Sequence, residues 1–581
     1  MSSLKPKYDL SKYFDLFQAT VINPQVAMLS FLNMASEMAK HPEKIENARK
    51  DLVNRFIDLA DYASKKIMNQ NTDALEVKTN DRRFKDPEWN DNPTLNIIKQ
   101  FYLSLSSWML DSINDVEGVD RKLHQQANFY LKQYIDALHP SNFPMLNPSV
   151  VKKTIEENGR NLEEGFKLLM EDLKKGAITT NDEDYYTLGD NIANSKGKVV
   201  FRNYLIELIQ YEPTTEKVHK IPVLFIPSWI NKYYILDLGK GTSMVEWLVS
   251  HGFTVFMISW VNPDERYRNI GFEEYATDGI ISAINKIADI TQEKLINAVG
   301  YCIGGTLLSA LLAALNDKNC KIKPKMKITS ATLLATLLDF DQAGDLAAFM
   351  EDRYLKLADA QMKKMGYLDG KTIYNTFCVL KANDMIWRYM IESYMLGNKP
   401  PHHSTLFWNA DSVNNTETMQ TFLSKCLYRD NKLKKKELNM FGVPVDISKI
   451  KQPMYMVSTL KDHLVPWNIV FNGFKLLNTA VKFVVGGSGH VAGIINHPSK
   501  QKYNYWTNEK NAYDTAADWM SEAVEHANSW WTDWTDWLAK RSGDMIKARN
   551  IINSLYDAPG HYVLNEHPDC EIQHQLNVNN K

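Results

Sequence analysis

The chain predicts an α/β protein: a doubly wound, mostly parallel sheet following a helical N-terminal region, with a long insert late in the sheet. Three observations carry this expectation. From about residue 196 short apolar runs alternate with helical patterns, the rhythm of parallel strands joined by crossover helices. Before that point apolar residues recur at helical spacing without such alternation. Between Ala335 and Pro453 the alternation stops, as expected where an extra segment interrupts a sheet.

The helical part comes first. Gln25 to Ala39 places Val26, Met28, Leu29 and Leu32 on one side, and similar patterns recur over Pro93–Ile113, Lys122–Leu138 and Val150–Leu173. These helices read as a domain over residues 1–195 packed on the rest of the chain. A sharper alternative is that some apolar faces contact an insoluble surface or a partner. Gly176 to Lys198 is polar, with Gly189, Asn191 and Gly197, and reads as a linker. The remainder, 196–581, is expected to be the catalytic domain.

Its strands are expected at Ile221–Pro227, Thr254–Ser259, Ile296–Val299, Ile328–Ala335, Pro453–Ser458 and Val481–Val485, with helices such as Met244–Ser250 and Thr277–Ile290 between them. The insert, about 336–452, carries helical stretches at Asp345–Met365 and Asn383–Tyr394. Its lysine run, Lys432–Lys436, reads as a solvated face rather than a phosphate site. In the tail, Trp530, Trp534 and Trp537 share a helical face that would seal an edge of the fold.

Gly300-Tyr301-Cys302-Ile303-Gly304-Gly305 follows an apolar run and precedes the Ala- and Leu-rich segment Thr306–Leu315. Strand, sharp turn and helix is the setting of the nucleophile elbow in an α/β-hydrolase, here with cysteine in place of serine. An insert at this point of that fold forms a cap over the active site. A buried, inert cysteine between two glycines is the plain alternative, so the later motifs have to decide. In this fold the order along the chain is nucleophile, acid, base. Asp462 stands just beyond one late strand and His490, in Gly487-Ser488-Gly489-His490, just beyond the next; strand ends are where open α/β sheets place their sites. Asp462 could instead cap the following helix. His463 is a rival base, but it adjoins Asp462 too closely to donate the orienting bond to it. The candidate set is therefore Cys302 as nucleophile, His490 as base and Asp462 as its orienting acid. Two backbone amides are candidates for an oxyanion hole: Ile303, at the start of the helix, and Ile230, in the loop Pro227–Tyr234.

Composition bounds the rest. A length of 581 residues allows two or more domains. A formal net charge of −2 argues against nucleic acid as the main partner. The five cysteines, Cys302, Cys320, Cys378, Cys426 and Cys570, are scattered and lack C-x-x-C spacing, which suits a reducing compartment and gives no disulfide frame or structural zinc site. No signal-peptide pattern opens the chain, and no apolar run approaches the ~20 residues of a membrane span. The expectation is a soluble, cytoplasmic protein without a metal.

With these residues in view, the chain resembles the polyhydroxyalkanoate synthases, bacterial enzymes that polymerise hydroxyacyl-coenzyme A thioesters. Gly300–Gly305 resembles their modified lipase box, and Pro227-Ser228-Trp229-Ile230-Asn231-Lys232-Tyr233-Tyr234-Ile235-Leu236-Asp237-Leu238 their oxyanion-loop motif. Asp462-His463-Leu464-Val465-Pro466-Trp467 and Ser488-Gly489-His490-Val491-Ala492-Gly493 resemble the acid and base motifs. Asn383–Trp387 and Trp408-Asn409-Ala410-Asp411 resemble cap signatures, and Pro140–Phe143 with Asn147-Pro148 an N-terminal one. The likeness spans nearly the whole chain and is closest to class I, which acts on short-chain substrates; the medium-chain class shares the layout. Two departures, Lys381-Ala382 before Asn383 and His402-His403-Ser404 before Trp408, fall in the cap and bear on substrate access and product exit rather than on the chemistry.

The resemblance implies that (R)-3-hydroxyacyl-coenzyme A, such as the 3-hydroxybutyryl thioester, is polymerised through an acyl-Cys302 thioester. Coenzyme A would be part of the substrate and a product, with no separate cofactor. The partners implied are the growing polyester, a cytoplasmic granule surface and a second copy of the chain in a homodimer. Two other readings stand beside this one: a cysteine thioesterase of the same fold, and a non-catalytic scaffold on granules.

Overall fold

The computed structural model describes residues 24–567, apart from 69, 71, 73–74, 76–80, 117–118, 342, 351 and 511–512; Cys570 therefore lies outside the described residues. The chain divides into two compact units. One holds the residues up to Asp182 together with Tyr374–His402, and the other Glu183–Ile373 with His403 onward.

In the first unit, helices span Pro24–Met38, Pro42–Ile67, Pro93–Asn114, Arg121–Ala137, Pro148–Glu156 and Arg160–Lys175. Their starts are written in the sequence. Asn92, Asp120 and Asn147 each accept two amides of the first helical turn, and proline opens four of the six. The single helix expected over Val150–Leu173 is two, because Asn158 and Gly159 adopt φ 52° and 83°, a left-handed turn no helix can pass through. The first helix is rotated from the expected face: Ser30 and Met34 are buried, whereas Met28 and Leu32 are 62% and 53% exposed. The side chains of Val26 and Leu29 lie outside the described set. The 26-residue helix Pro42–Ile67 has no counterpart in the sequence reading; among its described side chains only Tyr62 is buried, so it shows little of the periodic face that reveals a packed helix. Phe84, Trp89, Tyr102, Leu131 and Ile135 form this unit's core. The segment from the insert packs within it: the Tyr394 hydroxyl donates to buried Asp172 at 2.6 Å, and a Cβ added at Gly165 would stand 2.0 Å from the Tyr394 carbonyl oxygen.

The second unit is built on one sheet of eleven strands. In chain order these are β1 Gly197–Arg202, β2 Ile206–Tyr211, β3 Val223–Ile226, β4 Val255–Trp260, β5 Leu295–Tyr301, β6 Lys327–Leu334, β7 Met454–Thr459, β8 Val481–Gly486, β9 Tyr505–Thr507, β10 Val524–His526 and β11 Tyr556–Asp557. Their order across the sheet is β10-β9-β8-β7-β6-β5-β3-β4-β2-β1-β11. The six expected strands are its parallel centre, β4 to β8 with β3 between β4 and β5. The flanking strands are antiparallel and close both edges. Apolar side chains cover both faces, which is why the central strands read as continuous hydrophobic runs.

Two helical features of the second unit differ from expectation. Thr277–Ile290 begins as π-helix, Tyr275–Ile281, before the α-helix Ser282–Thr291. Asp345–Met365 is a 3-10 turn, Gly344–Phe349, followed by the helix Asp352–Met365. Lys434 of the lysine run pairs with Asp339 at 2.8 Å and with Asp341 at 2.5 Å, and Lys436 with Asp446 at 3.0 Å. The tryptophan helix, Trp531–Ala539, is buried as expected, with Trp534 fully enclosed. Among the described residues, no helix is long and apolar enough to cross a membrane.

Candidate active site

The site starts from the turn between β5 and the helix Ile303–Leu315. Cys302 sits in that turn at φ 53° and ψ −125°, outside the regions a side chain favours. The turn is held by neighbours that tolerate only glycine. A Cβ at Gly300 would stand 2.4 Å from the Gly305 Cα, and one at Gly305 would stand 2.1 Å from the Thr336 hydroxyl. Thr336 in turn donates to the Cys302 carbonyl at 3.1 Å, and the Cys302 amide donates to the Leu334 carbonyl at 2.8 Å. The sulfur is thus raised above the carboxyl ends of β5 and β6, half-buried.

The helix behind it is apolar on every side and buried from Ile303 to Ala314. Ile303 is its first residue, so its amide has no carbonyl one turn back to bond. Gly304 is pressed against the strand that leads into the Ile230 loop: its Cβ would lie 2.4 Å from the Ile226 carbonyl oxygen and 2.6 Å from that of Pro227. The two candidate oxyanion amides therefore belong to neighbouring backbones. The Ile230 amide donates at 3.3 Å to Ser228 Oγ within its own loop.

Asp462 follows β7 and is buried. One carboxylate oxygen accepts the Leu464 and Val465 amides, both at 2.9 Å, and the other receives His490 Nδ1 at 2.7 Å and the Thr459 hydroxyl at 3.3 Å. Asp462 thus holds the turn that follows it and is the partner of His490; it does not cap the next helix, Trp467–Phe474, which starts after Pro466 without a side-chain cap. Burial pushes this carboxyl up, but the His490 charge and hydrogen bond, with the Val465 amide, hold it below its usual value. Burial likewise pushes the His490 imidazole down, and here the Asp462 carboxylate, followed by hydrogen bonding and charge from Cys302, holds it well above its usual value.

The loop bearing His490 is supported from behind. The Trp530 indole donates to the Gly493 carbonyl at 2.9 Å, and Trp531 to that of Ile494 at 2.8 Å. The tryptophan run therefore braces this loop as well as filling an edge, a role its spacing did not reveal. Two tyrosines to which the sequence assigns no role also border the site. Burial pushes the phenols of Tyr301 and Tyr428 up, and the charges of Cys302 and Asp462 add to the effect. Tyr301 precedes the cysteine on β5, and its ring centre lies 6.1 Å from that of His490. Tyr428 comes from the insert, in a segment with no motif to mark it. Cys378 offers a contrast: burial pushes its thiol up to about 12, the signature of an inert structural cysteine.

Residues 80–248 match the family described as poly-beta-hydroxybutyrate polymerase (PhaC) N-terminus, and residues 221–496 match the alpha/beta hydrolase fold. The chain is 39% identical over 540 residues to a poly(3-hydroxyalkanoate) polymerase of Methylorubrum extorquens, covering 91% of this chain and 88% of that one. It is 37% identical over 552 residues to the poly(3-hydroxyalkanoate) polymerase subunit PhaC of Rhizobium meliloti (93% and 89% covered). It is 38% identical over 494 residues to that of Cupriavidus necator (83% of each).

Proposed function

The chain belongs to the poly(3-hydroxyalkanoate) polymerases, and we propose that it condenses (R)-3-hydroxyacyl-coenzyme A, with short acyl chains such as 3-hydroxybutyryl, into polyester through an acyl-Cys302 thioester. The observation that carries the cysteine chemistry is an imidazole, His490, tied to Asp462 at 2.7 Å and held well above its usual pKa beside a cysteine on a nucleophile elbow. An imidazole with raised affinity for a proton is what the deprotonation of a thiol requires.

The steps follow from these positions. His490 Nε2 takes the proton of Cys302, and Asp462 keeps Nδ1 protonated and the ring oriented. The thiolate adds to the thioester carbonyl, and the amides of Ile303 and Ile230 stabilise the oxyanion, which requires Ile230 to exchange Ser228 Oγ for the substrate oxygen. Collapse of the intermediate breaks the bond to sulfur of coenzyme A, whose thiolate leaves with the proton from His490. One thioester has replaced another, so the acyl group stays activated. A 3-hydroxyl of a second unit or of the growing chain, deprotonated by His490, then attacks the acyl-Cys302 carbonyl, forms the ester and releases the thiolate. Coenzyme A is carried in by the substrate and lost as product, and no further cofactor enters. Water in place of the hydroxyl would give free acid, so residues 335–453 have a screening role. We further propose, from the resemblance to the family, that the enzyme works at a granule surface in the cytoplasm and as a homodimer.

The test is coenzyme A release from (R)-3-hydroxybutyryl-coenzyme A by the purified protein, with polymer and free acid assayed in parallel. We expect release with insoluble polyester, abolished in Cys302→Ala. Release of free acid alone would identify a thioesterase. Polymerisation surviving in Cys302→Ala would overturn the nucleophile.

A further inference from the structure

The loop that carries Ile230 is fixed from outside the parallel sheet. The insert contributes a short helix, Ser404–Ala410, and this helix together with the residues just after it meets the loop at three points. Asn231 pairs with Ser412 as an antiparallel bridge. The Trp408 indole donates to the Lys232 carbonyl at 2.8 Å. Asp411 receives the Lys232 ammonium on one oxygen at 2.6 Å and the Tyr234 hydroxyl on the other at 2.8 Å. The Lys232 side chain is only 5% exposed, and its ammonium also donates to the Val563 carbonyl at 2.6 Å. A cation so enclosed does not choose its place freely, because moving it away from the half-buried Asp411 would leave a buried ammonium without its counter-charge. Burial pushes the Lys232 ammonium down and Asp411 opposes this. Every residue from 231 to 234 except Tyr233 is thus tied to the stretch 408–412, immediately after an amide whose own bond, at 3.3 Å, is weak enough to give up.

We propose that Asp411 is a positioning residue for acylation: through Lys232 and Tyr234 it fixes the loop so that the Ile230 amide meets the oxyanion. The proposal rests on the oxyanion role given to Ile230 above. It joins two motifs, Lys232-Tyr233-Tyr234 and Trp408–Asp411, that lie far apart along the chain, and it gives the insert a part in the chemistry besides screening. Asp411 touches no reacting atom; its effect is on where a backbone dipole points.

The experiment compares two reactions of the same sulfur in the full-length protein. Acylation by (R)-3-hydroxybutyryl-coenzyme A, read as the burst of coenzyme A release, passes through an oxyanion. Alkylation by iodoacetamide displaces iodide from carbon and forms none. In Asp411→Asn, which keeps size and shape, acylation should slow at least about tenfold, short of the ~10²–10³ lost when an oxyanion donor is removed outright, while alkylation stays within about twofold of the wild type. Tyr234→Phe should show the same selectivity with a smaller loss. If both reactions slow together, Asp411 is merely structural and the proposal falls; if neither slows, it falls as well. Should Asp411→Asn fail to fold, Lys232→Met/Asp411→Leu leaves neither charge unpaired and carries the same comparison. A wild-type protein that iodoacetamide labels at Cys302 without blocking coenzyme A release would overturn the cysteine mechanism itself, and the proposal with it. Labelling that blocks release, with no selectivity in Asp411→Asn, would overturn the positioning role alone.

Discussion

Replacing Asp462 by asparagine tests the reading of the site most sharply, because it changes one atom and leaves the shape. In the wild type, one carboxylate oxygen serves the Leu464 and Val465 amides at 2.9 Å, and the other serves His490 Nδ1 at 2.7 Å. The asparagine oxygen would keep the two amides, which both point at that position and need an acceptor. Its NH2 group would then face Nδ1. A donor opposite Nδ1 forces that nitrogen to accept, so the ring proton moves to Nε2 and the base is blocked. The comparable swap in a serine triad costs about 10⁴ in kcat. We expect coenzyme A release to fall by about 10³–10⁴, equivalent to about 4–5.5 kcal/mol of barrier. Folding should suffer less, about 1.5–3 kcal/mol, from loss of one charge-assisted hydrogen bond. Steady-state release beside urea unfolding separates the two losses. Activity within tenfold of the wild type in a folded Asp462→Asn protein would refute the assigned role of the Asp462–His490 pair.

The same carboxyl sets a pH prediction. Its folded pKa lies below the ordinary ~3.9, so its contribution is complete above that value and is lost as pH falls through the folded pKa. The stability gap between wild type and Asp462→Asn should therefore hold at neutral pH and close only in strong acid; a gap that widens on acidification would contradict it. His490 has the opposite sign: with its folded pKa raised, its contribution is complete below ~6.5 and fades as pH rises, so His490→Gln should cost more at pH 6 than at high pH in unfolding experiments. Gly305→Ala should lose about 1–3 kcal/mol and most activity by driving Thr336 off the elbow, and a second change, Thr336→Gly, should restore part of both; additive losses would show that the close approach is not the cause. Trp531→Phe leaves the Ile494 carbonyl without its buried donor, which should cost about 1–3 kcal/mol and lower kcat through the His490 loop; unchanged melting and kcat would deny the brace.

What could be read from the sequence follows from where each constraint is local. The parallel strands were visible because a strand such as Val223–Ile226 is buried on both faces and must be apolar throughout. The antiparallel β2 does not stand out in the sequence because its Ile-Glu-Leu-Ile-Gln-Tyr looks half-solvated, yet Glu207 and Gln210 are buried. Glu207 accepts the amides of His561 and Tyr562 at 2.9 and 3.0 Å, partners hundreds of positions away that no local pattern announces. The turn at Cys302 and the pairing of Asp462 with His490 are legible because turn glycines, strand ends and chain order mark them. Tyr428 is not, since it reaches the site through the folding of the insert alone. The same holds for the bond between Lys232 and Asp411, whose motifs were both recognisable while their meeting was not.

The allocation of Tyr374–His402 to the N-terminal unit has a consequence for how this protein can be cut and recombined. The backbone passes from one unit to the other three times, after Asp182, Ile373 and His402. No single break in the gene separates the two. A fragment starting at Glu183 would still carry the segment with Tyr394 but would lack Asp172, which receives its hydroxyl, and Gly165, against which its backbone lies. Chimaeras joined only near residue 182 would pair one parent's helices with the other parent's segment. Exchanges that move residues up to Asp182 together with Tyr374–His402 keep each parent's packing intact, so a natural or engineered hybrid of this family is better composed of two pieces of sequence than of one.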